Sequence, residues 1–159
     1  MNNVIENSLV TGILFLIIIA PIILASRRAK RKRLEKSAAA LHELAGKNHL
    51  NLTKSDIFGN SALGLDALKN VLIYVNTQSN ELICKTDLSR ISSCEIVQSM
   101  DQNSITSIQL VLYGKEQPFT SISFYKQFHD DEMKIKQFQQ LVETWKQEID
   151  QLISRKKTA

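Results

Sequence analysis

SALGLDALKNVLIYVNT, residues 61–77, contains the pattern that decides the fold. Two largely apolar runs, 61–66 and the β-branched 70–77, flank a turn from Asp66 to Asn70. An aspartate at such a position bonds the backbone two residues on. Short runs closed by turn chemistry predict a β-hairpin rather than a helix. The same grammar extends outward on both sides, predicting strands at 50–58, 61–66, 70–77, 80–86, 91–99, 103–113 and 118–126. Gly59-Asn60, Gln78 to Asn80, Asp87 to Arg90, Asp101-Gln102 and Gly114 to Gln117 punctuate them. Short, even spacing of this kind means antiparallel hairpins and excludes βαβ units.

Downstream, the period changes from two to about 3.6. Ile135, Phe138, Leu141, Val142, Trp145, Ile149 and Leu152 fall on one helical face. His129, Asp130, Asp131 and Glu132 put acid at its start, and Arg155, Lys156 and Lys157 put base at its end, as the helix dipole favours. A helix this amphipathic has to cover something, and the open face of the sheet is what remains. The expected fold class is α+β: a seven-stranded antiparallel barrel or sandwich capped by a C-terminal amphipathic helix.

Upstream, 27–49 is predicted to be a basic linker helix, with Leu34, Ala38, Leu41 and Ala45 as a narrow apolar stripe. The stripe can dock on the chain's own domain or pair with a second copy into a homodimer. Docking is favoured because the stripe spans fewer heptads than a coiled coil needs. Gly46, with Lys47 and Asn48, reads as the helix stop. Before it, LVTGILFLIIIAPIILA, 9–25, carries no charge, and 9–26 is expected to be a transmembrane helix. No Lys or Arg precedes this run, whereas six basic residues, Arg27, Arg28, Lys30, Arg31, Lys32 and Arg33, crowd its exit. That asymmetry predicts a single-pass protein of the bacterial inner membrane, N-out and C-in, with 1–8 outside and 50–159 in the cytoplasm.

The formal charge of +4 belongs to that cluster, because from Leu50 onward 12 Lys and Arg face 13 Asp and Glu. A near-neutral domain lacks the spread of basic side chains that nucleic acid would require. Cys84 and Cys94 flank the Asp87 to Arg90 turn and could face each other across adjacent strands, most simply as reduced thiols. His42, His49 and His129 have no ligand at metal spacing. Ser89, Ser92, Ser93, Ser121 and Ser123 lie in no nucleophile setting, and no Gly-rich phosphate loop occurs. Asn51-Leu52-Thr53 matches a glycosylation sequon, inert in the cytoplasm. No catalytic, metal-binding or cofactor-binding residue is therefore nominated, and no enzymatic activity is expected.

GLDALKNVLIYV (64–75), TDLSRISSCEIV (86–97), SISFY (121–125) and the helix residue Trp145 give the chain a resemblance to the pleckstrin-homology-like (PH-like) domain of small bacterial single-pass membrane proteins. The resemblance runs from about 50 to 155 and implies two roughly orthogonal sheets with a C-terminal helix plugging one end. Lipid-reading members carry basic residues on the first two strands and their loop. Here only Lys54 beside Asp56 stands there, so lipid reading is not carried over to that position. The expected function is a membrane-anchored, non-catalytic protein-interaction or scaffolding module with a protein partner. The alternative is a sensor of anionic lipid in the bilayer, using Arg27 to Arg33.

Overall fold

The structure is a computed structural model that describes the backbone of residues 2–78, 82–114 and 118–158, and the side chains of 19–78, 84–114 and 120–155. In chain order it contains α1 (Asn2–Lys47), β1 (Lys54–Phe58), β2 (Ser61–Asp66), β3 (Val71–Asn76) and β4 (Leu82–Asp87). A 3-10 turn (Leu88–Arg90) leads to β5 (Ser93–Asp101), β6 (Ser104–Tyr113) and β7 (Pro118–Lys126). A second 3-10 turn (Glu132–Lys134) opens α2 (Ile135–Thr158). The fold is α+β, with two antiparallel sheets ordered β1-β2-β3-β4 and β5-β6-β7.

Neither sheet closes into a barrel, which removes the barrel form of the expectation. The break lies between β4 and β5. The Asp87 carboxylate accepts the Ser89 N–H at 2.8 Å and starts the 3-10 turn, and Leu88 drops into the core. The chain thus leaves one sheet and enters the other instead of forming a hairpin. The β5–β6 connection is a two-residue hairpin in which Gln102 (φ 42°) and Asn103 (φ 70°) both take left-handed backbone, as a type I′ turn demands.

The two sheets and α2 enclose the main core. Phe138, Val142, Trp145, Ile149 and Ile153 from α2 meet Leu65 and Leu72 of one sheet and Leu110, Ile122 and Phe124 of the other. Trp145 is fully buried, donates its indole N–H to Asp56 Oδ2 at 2.9 Å, and has Lys54 Nζ 5.2 Å from its ring centre. Hiding a side chain of that size contributes roughly 4–6 kcal/mol at 25 cal/mol per Å².

A second, smaller cluster lies on the outer side of the four-stranded sheet, where Leu41 and Ala45 of α1 pack on Ala62, Ile73 and Val75. The linker stripe therefore docks on its own domain. β2 is consequently buried at every position. Gly64 permits the close approach, since a Cβ there would lie 3.1 Å from methyls of Leu41 and Leu52. Ser37, also fully buried, is within 3.2 Å of the Thr77 hydroxyl.

The expected linker helix forms the C-terminal part of α1, which runs to Lys47, and one N-terminal expectation is corrected. Among the described residues no helix is long and apolar enough to cross a membrane, which overturns the transmembrane helix and the single-pass membrane character inferred from it. The outward segment 1–8 and the 9–18 part of the expected span lie outside the described side chains. The helix ends at Lys47, within the predicted stop, but the left-handed residue is not Gly46. Gly46 stays helical, and His49 (φ 52°) takes the left-handed turn, with Leu50 N–H donating to Ala45 O at 2.9 Å.

Candidate functional site

The nominated surface residues Arg27, Arg28, Lys30, Arg31, Lys32 and Arg33 all stay exposed on successive turns of α1. Arg31 pairs with Glu35 one turn on, Nε to Oε1 at 2.8 Å. The six do not form a single face. Lys30 and Arg33 point into a cleft shared with the start of α2.

Candidate chemistry is scattered. His42, His49 and His129 are exposed on α1, on the α1–β1 connection and after β7. Among the described residues no three His, Cys, Asp or Glu side chains converge as metal ligands would. The two cysteines are not cross-strand neighbours, because β4 and β5 belong to different sheets. Cys84 is half-buried beside the hydroxyls of Thr86 and Thr120, each at 3.4 Å. Cys94 is buried, and burial pushes its thiol up to about 12. A thiol so hard to ionise is a poor nucleophile.

Asp66 does what its turn position predicts. Its carboxylate accepts N–H groups from Lys69 at 2.9 Å, Asn51 at 2.8 Å and Leu68 at 3.1 Å. These bonds, led by that from Lys69, hold its carboxyl below the ordinary value. Sequence reasoning missed the contact with Asn51, which ties the entry to β1 onto the β2–β3 turn. A polar asparagine in a presumed strand carried no such signal.

What the fold singles out is a strand edge. The two sheets have four outer strands: β1, β4, β5 and β7. β1 carries Lys54 and Asp56, and β4 carries Lys85 and Asp87, charges of the kind that discourage another strand from adding. β7 lies against the first sheet, with the Tyr74 hydroxyl donating to Ser123 O at 3.3 Å and Cys84 beside Thr120.

β5 differs along its length. Its first half is covered by α2, with Cys94 buried and Ile96 packed on the core. Its second half, from Val97 to Asp101, is exposed at every residue, on both faces. Val97 keeps 39% and Met100 64% of its surface in water. Val97, Gln98, Ser99 and Met100 bear no charge, and among the described residues β6 is the only strand paired with them. A register shift between Ser99 and Met100 is the one feature that interrupts this edge. The signal was present in the sequence as the loss of apolar alternation after Ile96, but it identified no function without the strand order.

No protein family, curated protein or solved structure matches the chain.

Proposed function

We propose that this chain is a non-catalytic protein-interaction module of PH-like architecture, and that it captures an extended segment of a partner protein along the distal half of β5. The PH-like reading is supported by the four-plus-three division of the strands and by α2 closing the core with Trp145 at its centre. The interaction reading rests on a single observation: Val97 to Met100 form an uncharged stretch of an outer strand, exposed on both faces, while the other three outer strands carry charge along their length or lie against a neighbour.

An added strand would gain main-chain hydrogen bonds along the free side of β5. The side chains of Val97 and Met100 would supply apolar contacts and selectivity. Adding lysine to an edge is how natural sheets repel such additions, so the double substitution Val97→Lys, Met100→Lys is the direct test. Crosslinking of the native chain in its cells, followed by identification of the crosslinked neighbours, should recover a defined partner that this variant loses. Lys54→Ala, on a different outer strand, should retain it. Identical neighbours for the native chain and the double variant would contradict the proposal.

A further inference from the structure

A cleft of about 600 Å³ separates α1 from the β1–β2 turn and the start of α2. Its volume falls within the roughly 300–1,000 Å³ of small-molecule sites. Apolar side chains, Leu34, Ile57, Phe58, Phe138 and Leu141, line part of it, and three cations, Lys30, Arg33 and Lys134, line the rest.

The carboxylates in the cleft are bonded to backbone N–H groups, and the attraction of Asp131 for Lys30 is outweighed by the effect of Lys134. Asp130 Oδ2 accepts the Lys126 N–H at 2.8 Å, and its other oxygen is packed so tightly on the β1–β2 turn that a Cβ on Gly59 would lie 2.8 Å from it. Asp131 Oδ1 accepts the Met133 N–H at 3.2 Å and caps the 3-10 turn. No ion pair among the described residues includes Lys30, Arg33 or Lys134. Two lysines from elements far apart in sequence thus line one cleft beside an apolar wall, with no carboxylate among the described residues in ion-pair contact with either.

We propose that this cleft binds a small amphiphilic carboxylate, its head between Lys30 and Lys134 with Arg33 alongside, and its apolar body against Ile57, Phe58 and Leu141. The Lys30 ammonium is held below the ordinary lysine value chiefly by the Lys134 ammonium close beside it, which outweighs the attraction of Asp131. A carboxylate between them would relieve that repulsion, and the apolar wall would distinguish a chain-bearing acid from a bare anion. The site does not depend on the β5 edge.

Amine-reactive footprinting of the full chain tests this with octanoate, using 1-octanol and inorganic phosphate as partial mimics. Octanoate should protect Lys30 and Lys134 saturably, and leave the exposed Lys32 and Lys36 unprotected. Octanol and phosphate should require at least about tenfold higher concentration, a difference of ~1.4 kcal/mol. Ile57→Ser, at a half-open position that leaves the core intact, should weaken octanoate protection by a similar factor. The proposal is overturned by absence of protection, by equal protection from phosphate or octanol, by protection shared equally with Lys32 and Lys36, or by an unchanged response in Ile57→Ser.

Discussion

α1 packs on the outer side of the four-stranded sheet and α2 on the core between the two sheets, and they do so very differently. α2 inserts Phe138, Trp145 and Ile149 into a core shared by both sheets, whereas α1 lays Leu41 and Ala45 on a patch formed by Ala62, Ile73 and Val75. The first contact is deep and built of large side chains. The second is shallow and depends on a missing one, since Gly64 is what lets Leu41 approach. α2 is therefore part of the folding unit, and the end of α1 is an attachment that can loosen while the sandwich persists.

Substitutions that strike one helix and spare the other sharpen this contrast. Trp145→Ala should have the largest effect, about 3–5 kcal/mol, because it opens a cavity at the junction of both sheets and leaves Asp56 without its indole donor. Chemical denaturation followed by circular dichroism should show the whole sandwich unfolding earlier. Leu41→Ala should cost about 2–4 kcal/mol of local docking. Hydrogen exchange should quicken over 40–47 while the emission of buried Trp145 stays where it is. A shift of that emission would mean that the two clusters unfold as one.

The smallest effect concerns the loop that joins α1 to the sheet. The folded carboxyl of Asp66 lies below its ordinary value, so its contribution to stability is complete above roughly pH 4 and is lost as the pH falls through the folded value. Asp66→Asn should flatten that part of the acid limb in melting temperatures taken from pH 7 to pH 3. An acid limb of unchanged slope would remove the loop from the account.

Much of the sandwich is legible in the sequence because turn chemistry and alternation agree. The predicted 61–66 and 118–126 coincide with β2 and β7. The shortfalls have identifiable causes. Residues 50–53 read as the start of a strand, yet they form the tether held by Asp66 and by Thr53 N–H donating to Leu65 O at 2.8 Å. The acidic run 129–132 read as the first turn of α2, but Asp130 pins the end of β7 and Asp131 caps a 3-10 turn.

The change of sheet at Asp87 to Arg90 is invisible to period counting, since apolar alternation is similar before and after it. The buried position of Leu88 decides it. The same holds for the candidate site. The uncharged Val-Gln-Ser-Met stretch is plain in the sequence, but only strand order makes it an edge, and only the placement of α2 leaves it uncovered. The cleft is harder still to foresee, because Lys30 and Lys134 are joined by tertiary packing alone.

The central claim is that the distal half of β5 is an open edge on a closed core. Native-state hydrogen exchange of the full chain, resolved by residue, tests it most directly. Amides of 97–101 that lack a β6 carbonyl should exchange orders of magnitude faster than those of β6 and of α2 around Val142 to Ile149. Protection along 97–101 equal to that of β6 in the isolated chain would mean that this edge is already covered, and the proposed docking strand would have nowhere to bind.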